Sequence, residues 1–370
     1  MRTILYILMI LCIISCGTKE QHEKEGFNGE ILNCVDRLNY DSKNFVDHTE
    51  LIPLEQTEQS VFSDIRKLIY KNNTYYIGDL LDSKKIFVFN EQGKFIGKVG
   101  RLGKGSEEYN RVSDFYVTDD GDVVILTGSS HRLVKYDIQN NFLSEVKLPF
   151  MADAVLPLSN DKYIFACSIH QQDERVVVTN LKGEVLNKYL PYDKSDYHVN
   201  ISTKGNDNLL RETLDGVTFN QPYDSKIYQF KKSGEMVALY DLDFGKNKPA
   251  ENTLVNADKF SKTYRNKYVE YLKITPLVAN RSIYGTMRLG KNLGVYRYDL
   301  KKSSMHVKKG DFKSLDLLMP LYLHNDVEII SYVDHNIVRF TDDDSGFTKS
   351  QMSFLQNGGV FLVKHVLRER

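Results

Sequence analysis

The stretch IRKLIYKNNTYYIGDLLDSKKIFVFNEQGKFIGKVG, from Ile65 to Gly100, decides the fold. It divides into four short runs of apolar, β-branched and aromatic residues, which are IRKLIY, TYYIGD, KKIFVFN and KFIGKVG. Asparagine, glycine and lysine residues separate the runs, and such residues supply the backbone conformations of turns. The stretch therefore predicts a four-stranded sheet.

The same pattern recurs along the chain. Its third strands begin at residues 86, 133, 176, 227 and 295, with the sequences IFVFNEQGK, LVKYDIQNN, VVVTNLKGE, IYQFKKSGE and VYRYDLKKS. Successive starts lie 47, 43, 51 and 68 residues apart. A repeat of about 40 to 50 residues with four strands per unit is typical of a β-propeller. Five blades are predicted in this way, at residues 65–100, 112–148, 153–190, 208–242 and 274–308.

The longest interval contains an insertion, TLVNADKFSKTYRNKYVEYLK, from Thr253 to Lys273. Its aromatic residues recur at helical spacing, and they are Phe260, Tyr264, Tyr268 and Tyr271. We therefore predict a helical insertion over about 253–273. It is the only helix that the sequence clearly predicts.

A sixth blade takes strands from both ends of the chain. The segments LDLLMPLYL, DVEIISYV and GGVFLVKHVL supply three strands, and the outer strand is missing. HTELIPLEQ, from His48 to Gln56, alternates in polarity and belongs to no other blade. Completing the blade with this segment removes an open sheet edge. The predicted fold is an all-β, six-bladed β-propeller of four-stranded blades over residues 45–370.

The N-terminal sequence predicts that the protein is located outside the cytoplasm. In MRTILYILMILCIISC, Arg2 precedes an apolar run from Ile4 to Ile14 that is too short to span a bilayer. Residues 1–15 are interpreted as a signal peptide. Cys16 follows a small residue, as in the lipobox of bacterial lipoproteins, which implies that Cys16 is lipidated; an ordinary secretory signal is the alternative. Residues 16–44 are mostly polar and predict a flexible tether.

Composition excludes several classes of protein. Forty-nine basic and 49 acidic residues balance, so no charge excess would attract nucleic acid. Beyond Cys16 the chain has only Cys34 and Cys167, too few for a disulfide framework. We interpret Cys167 as a small buried hydrophobe. The absence of tryptophan excludes a WD-type propeller.

Two longer segments carry a family resemblance. They are IFVFNEQGKFIGKVGRLGKGSEEYNRVSDFYVTDDGD, from Ile86, and DSKIYQFKKSGEMVALYDLDFGKNKPA, from Asp224 to Ala250. Together with the lipobox, they resemble the six-bladed β-propeller lipoproteins of Bacteroidetes, which are related in pattern to NHL-repeat propellers. Ser106 and Glu107 replace the Pro-Gly that this family carries in its GKGPGEY loop. The resemblance implies a lipid-anchored propeller in the cell envelope, at the outer membrane, with no generally assigned activity.

The glycine-rich loop GRLGKGSEEYNR suggests phosphate binding at first sight. A Walker-type loop needs its lysine directly before the hydroxyl residue and a helix after it. Here Gly105 separates Lys104 from Ser106, and a predicted strand follows. We interpret the loop as the crossover between the first two blades. Because a crossover lies on one face of the disc, four of its residues are candidate ligand-binding residues, namely Arg101, Lys104, Tyr109 and Arg111.

The sequence contains no clear metal-binding or catalytic motif. Two aspartate runs, at Asp119–Asp122 and Asp342–Asp344, lack calcium-loop spacing and are interpreted as a hairpin turn and a solvated loop. The nine histidines show no zinc-site spacing, and no G-x-S-x-G motif occurs. No catalytic residue and no cofactor is therefore predicted. Most aromatic residues are expected to pack between blades, and three loop tyrosines are candidates for a sugar or peptide platform, Tyr192, Tyr197 and Tyr223.

The expected function is binding. The sequence favours a non-enzymatic module, held at the bilayer by acyl chains on Cys16, that engages a protein partner or small ligand through a loop face or the central channel. The alternative is a calcium-dependent hydrolase or lactonase with its site at the pore. Acidic and amide residues converging from three blades would favour the enzyme. A channel lined by apolar and unpaired basic groups would favour the binding module.

Overall fold

Three strands precede the first complete sheet of the computed structural model. They are β1 (Glu30–Asn33), β2 (Arg37–Asn39) and β3 (Val46–Pro53), with a 3-10 turn at Ser42–Asn44 before β3. The structure describes residues 28–128, 130–167, 173–192, 209–221, 224–248, 270–272, 275–290, 292–309, 320–338 and 347–368.

The next twelve strands form three antiparallel sheets of four strands each. The first sheet contains β4 (Lys67–Lys71), β5 (Thr74–Asp79), β6 (Lys85–Asn90) and β7 (Phe95–Val99). The second contains β8 (Val112–Val117), β9 (Val123–Thr127), β10 (Arg132–Tyr136) and β11 (Phe142–Lys147). The third contains β12 (Ala154–Ser159), β13 (Lys162–Ala166), β14 (Glu174–Asn180) and β15 (Val185–Pro191).

The remaining strands complete three further sheets. The fourth contains β16 (Leu210–Thr213), β17 (Gly216–Phe219), β18 (Lys226–Lys231) and β19 (Met236–Asp243), and a 3-10 turn follows at Gly245–Asn247. In the fifth, β20 (Glu270–Leu272) and β21 (Leu277–Val278) both pair with β22 (Ser282–Leu289), which continues to β23 (Asn292–Asp299) and β24 (Ser304–Lys309). The sixth contains β25 (Tyr322–His324), β26 (Glu328–Val333) and β27 (Phe361–Leu367), with helices α1 (His335–Val338) and α2 (Lys349–Gln356) between β26 and β27.

These sheets confirm the six-bladed propeller and its closure. Strand β3 pairs antiparallel with β27, so the two ends of the chain share the sixth blade. In that pair Lys364 lies opposite Glu50, and Lys364 Nζ is 2.7 Å from Glu50 Oε2. The first strands of five blades lie side by side around the ring, in the order β25, β4, β8, β12 and β16, so the first strand of a blade is its inner strand.

Aromatic and aliphatic side chains fill the spaces between blades, as predicted. Tyr76, Phe115 and Tyr136 are buried together between the first and second blades. Phe87 and Leu362 join the sixth blade to the first in the same way. Burial of large apolar surfaces at every blade interface makes the ring a rigid scaffold for the connections that leave it.

The predicted flexible tether is wrong for residues 30–44. Strand β1 pairs in parallel with β19 and β2 pairs in parallel with β24, so this segment extends the outer edges of the fourth and fifth blades. Leu32 and Cys34 are buried in the core between these two blades. The open edges offer unpaired backbone groups, and two apolar side chains gain burial there, which outweighs the polar composition of the segment. The propeller unit therefore begins by residue 30 rather than 45.

The helices also differ from the prediction. The predicted insertion lies mostly outside the described residues, but Glu270–Leu272 within it form β20 and pair with β22 instead of ending a helix. Helix α2 was not predicted. Thr348 begins it with a capping box, in which its side chain accepts from Gln351 N while the Gln351 side chain accepts from Thr348 N. Among the described residues, no helix is long and apolar enough to cross a bilayer.

The two ends of the ring differ in their connections. We call the end at which the inner strands begin the loop face, and it carries Gly100–Arg111 and the helices α1 and α2 that lie between β26 and β27. We call the opposite end the hairpin face. Tight turns such as Asn72–Asn73 and Asn325–Asp326, all four residues at positive φ, connect strands there. Long connections and inner-strand starts therefore meet at the loop face.

Candidate functional site

Three charged side chains converge where inner strands begin. Lys67 is the first residue of β4, Asp114 the third of β8 and Arg211 the second of β16, so each comes from a different blade. Their exposed fractions are only 7%, 3% and 8%. Charged residues are seldom buried this deeply unless they are paired. We call these three residues the channel cluster.

Lys67 and Asp114 form a buried ion pair, with 2.8 Å between Lys67 Nζ and Asp114 Oδ1. The second carboxylate oxygen of Asp114 accepts a hydrogen bond from Val155 N at 2.9 Å, which ties the second blade to the third. Lys67 Nζ also lies 5.6 Å from the centre of the Phe115 ring. Burial raises the pKa of the Asp114 carboxyl, and the charge of Lys67 opposes that effect. Both oxygens of Asp114 are therefore occupied.

Arg211 links two blades that are not neighbours in the ring. Its Nη1 donates to Leu321 O at 2.5 Å, which joins the fourth blade to the sixth without passing through the fifth. Its Nε and Nη2 are buried and have no hydrogen-bond partner among the described residues. Burial lowers the pKa of the guanidinium to about 10, and the nearby Asp114 carboxylate opposes this shift. Arg211 stays protonated at neutral pH, so the channel cluster holds two positive charges and one negative charge.

The predicted loop residues do not form one open site. The glycine-rich segment is the crossover from β7 to β8, as predicted. Tyr109 is buried, and its hydroxyl donates to Lys84 O at 2.9 Å. Arg101 donates to Asn140 O and pairs with Glu107 at 2.9 Å. Lys104 and Arg111 are exposed, so only these two of the four candidates present their side chains freely to solvent.

The second blade holds this crossover in one conformation. Arg132 donates through Nη1 to Ser106 O at 2.9 Å and through Nη2 to Glu108 O at 2.7 Å. The Tyr136 hydroxyl donates to Glu107 O at 2.6 Å. Backbone carbonyls that are fixed in this way leave the loop little freedom to wrap around a phosphate.

Residues 30–359 match the model of DUF4934, described as a domain of unknown function. The chain belongs to the DUF4934 family. No curated protein matches the sequence significantly. The match begins where β1 begins, which agrees with the inclusion of the N-terminal strands in the DUF4934 propeller.

Solved structures share the fold of this DUF4934 chain. The crystal structure of a predicted exported protein of Bacteroides fragilis is similar over 92% of this chain and 100% of its own, at 17% identity and a TM-score of 0.74. A catalytically inactive virginiamycin B lyase of Staphylococcus aureus is similar over 71% of this chain and 74% of its own, at 13% identity and a TM-score of 0.42. The first similarity shows the propeller fold, and the second is too low to carry an argument about activity.

The first aspartate run lies in the turn between β8 and β9, as predicted. Asp119 pairs with Lys71 at 2.6 Å, and Asp122 pairs with Lys135 at 2.7 Å. The second run, residues 342–344, lies outside the described residues. Across the part of the DUF4934 chain that the structure describes, no three histidine, cysteine, aspartate or glutamate residues are grouped to hold a metal ion.

The predicted tyrosine platform is represented by Tyr192 alone, because residues 197 and 223 lie outside the described residues. Its hydroxyl donates to Cys167 O at 2.7 Å, and the Arg175 guanidinium lies 4.8 Å from the ring centre. Cys167 is buried, as predicted, and burial raises the pKa of its thiol. Cys34 is buried as well.

The sequence analysis did not identify the channel cluster. One signal was available: each of the three residues interrupts the first strand of a blade, in the runs RKLIY, VSDFYV and LLRET. A charge inside an inner strand of a propeller faces a confined, poorly hydrated space. The sequence does not show that these strand positions lie at one level of the ring.

Proposed function

We propose that this protein is a non-enzymatic binding module of the bacterial cell envelope that engages its ligand or protein partner at the loop face, over the channel mouth. The channel cluster is the observation that carries the proposal. It places buried charge from three blades beneath the face that has the long connections, and Nε and Nη2 of its Arg211 have no hydrogen-bond partner among the described residues. Rigid scaffolds that present long connections are the usual setting of binding sites.

The proposed cellular location rests on residues outside the described part of the chain. A signal peptide over residues 1–15 and acyl chains on Cys16 would hold the propeller at the outer membrane, as in the lipoproteins with NHL-like propellers that the sequence resembles. The Bacteroides fragilis protein of the same fold is predicted to be exported, which supports an extracytoplasmic location. Strand β1 begins 14 residues after Cys16, so the tether proper would be short.

Replacing Cys16 with serine tests the anchor. We expect the native chain in the membrane fraction and the Cys16→Ser chain in the soluble fraction, because the variant has no thiol to acylate. Mass spectrometry of the mature N-terminus should show the lipid on the native chain only. A Cys16→Ser chain that stays with the membrane would contradict lipid anchoring at this residue.

The charges of the channel cluster favour binding of a small ligand or a protein over the alternative function, a calcium-dependent hydrolase. The hydrolase would need acidic and amide groups from several blades around a cation, whereas the channel cluster has one carboxylate, and Lys67 and Val155 N already occupy its two oxygens. Two cations beside a single carboxylate would repel calcium rather than hold it.

Recovery of the native lipoprotein from its own envelope tests the binding role. We expect a protein or small molecule to remain attached after purification in mild detergent, identified by mass spectrometry. Two exposed lysines make a matched pair: Lys104 on the loop face and Lys182 in a turn on the hairpin face. Lys104→Glu should reduce what is retained, and Lys182→Glu should leave it unchanged. Retention that depends only on the hairpin-face lysine, or no retained partner at all, would overturn the proposal.

A further inference from the structure

The two unpartnered nitrogens of Arg211 form one binding edge. In a guanidinium group, Nε–H and one N–H of Nη2 point in the same direction, and this pair matches the two oxygens of a carboxylate. Nη1 lies on the other side and is already bonded to Leu321 O. The free groups are therefore the planar pair that a carboxylate would bind side-on, rather than scattered donors.

The charged groups around Arg211 are already paired with each other. Asp114 is the negative charge of the channel cluster, and Lys67 and Val155 N take its two oxygens. Within the described residues, Arg211 is left as a buried cation with two donor nitrogens that have no acceptor, an arrangement that costs free energy unless another group compensates it. The cluster as a whole carries one excess positive charge. A single negative charge would balance it.

We propose that Arg211 binds the carboxylate of a small monoanionic ligand through Nε and Nη2, at the axis of the ring. This inference rests on the proposed binding function and names the chemistry of its ligand. A carboxylate supplies two coplanar oxygens and one charge, which match the free edge and the excess charge of the cluster. A phosphate dianion would overcompensate the cluster and would be repelled by Asp114. Both nitrogens are shielded from solvent, so the ligand displaces side chains at the channel mouth as it enters.

The probe for the test is acetate, the smallest carboxylate with a methyl group. The full native chain, in detergent, is unfolded thermally while sodium acetate replaces sodium chloride at constant ionic strength. Parallel series contain acetamide, which has the same shape without the charge, and inorganic phosphate. Calorimetric titration then measures the affinity for acetate. We expect acetate alone to raise the Tm in a saturable way.

Two substitutions separate charge from geometry. Arg211→Lys keeps a buried cation but loses the planar edge, and it should bind acetate about tenfold or more weakly. Arg211→Met removes the charge and should abolish the effect of acetate. The control is Arg281→Met, an exposed arginine on the hairpin face, which should bind acetate as the native chain does. The lysine variant remains informative if the methionine variant does not fold.

Several outcomes would overturn this inference. They are equal effects of acetate and chloride, an equal or larger effect of acetamide or phosphate, and undiminished acetate binding by Arg211→Lys. Failure here is distinguishable from failure of the binding module. If the native lipoprotein retains a protein or a ligand without a carboxylate at the loop face, the module stands and only the role of Arg211 is wrong. Retention of a small carboxylic acid would support both.

Discussion

The two ends of strand β4 make a natural comparison, because each carries a lysine that pairs with an aspartate of the second blade. At the loop face, Lys67 and Asp114 lie 2.8 Å apart, with side chains only 8% and 4% exposed. At the hairpin face, Lys71 and Asp119 lie 2.6 Å apart, with side chains 25% and 94% exposed. Nearly equal distances thus join the same two blades in very different surroundings.

The difference shows that surroundings, rather than distance, decide what an ion pair does. In water the attraction between two charges is largely screened, and an exposed pair contributes little to stability. A buried pair interacts strongly, but desolvation of both groups opposes the gain, and loss of one partner leaves a charge that is costly to bury. The hairpin-face pair is an ordinary surface contact. The loop-face pair belongs to the channel cluster.

The largest expected effect is at the buried pair. Lys67→Met should lower the free energy of unfolding by about 3 to 5 kcal/mol, because Asp114 would remain buried without its counter-charge. The matched change Lys71→Met should cost no more than about 1 kcal/mol. Chemical denaturation of both variants measures the contrast.

The double variant Lys67→Met/Asp114→Leu checks that explanation. Removing both charges should restore most of the stability that Lys67→Met loses. If Lys67→Met alone costs less than about 1 kcal/mol, then Arg211 must be able to replace Lys67 as the partner of Asp114, and the two arginine donors would not be held for a ligand.

A second effect concerns the loop face alone. Gly100 has a φ of +118°, and a Cβ at this position would lie 1.8 Å from the Tyr109 hydroxyl oxygen. Gly100→Ala should therefore cost about 1 to 3 kcal/mol through backbone strain and displacement of Tyr109. Gly97, in the preceding strand β7, has open space at its Cβ position, so Gly97→Ala should be close to neutral. Thermal unfolding of both variants measures the two losses of stability. Equal losses would contradict the tight packing of the crossover.

The smallest effect is a difference of sign in pH dependence. The Lys71 hydrogen bond lowers the pKa of Asp119, so its contribution to stability is present above the ordinary aspartate pKa and is lost as the pH falls through the folded value. Burial raises the pKa of Asp114, so its contribution is present at low pH and is lost as the pH rises through the folded value. NMR titration of the two carboxyl groups should give a pKa below that of free aspartate for Asp119 and a pKa above it for Asp114. Two pKa values shifted in the same direction would contradict the comparison.

Much of the fold could be predicted because its signals are local. Alternating strands, turn residues and a regular repeat are each visible within a few residues, and ring closure follows once Val46–Pro53 has no other sheet to join. Strands β1 and β2 were missed because their sequence is mostly polar. Their parallel pairings, β1 with β19 and β2 with β24, are long-range contacts that no local pattern predicts. Helix α2 was missed although its capping box, Thr348 to Gln351, is visible in the sequence.

The candidate site shows the limit of local signals. From the residues alone it could be predicted that the strands repeat, that the ends of the chain share a blade and that the glycine-rich loop crosses between blades. The meeting of Lys67, Asp114 and Arg211, which are separated by 47 and 97 residues, became visible only in the folded ring. Their meeting depends on how six sheets twist and pack around a common axis. It is this enclosure that removes water from their charges, and no other described residue bonds the Nε and Nη2 edge of Arg211.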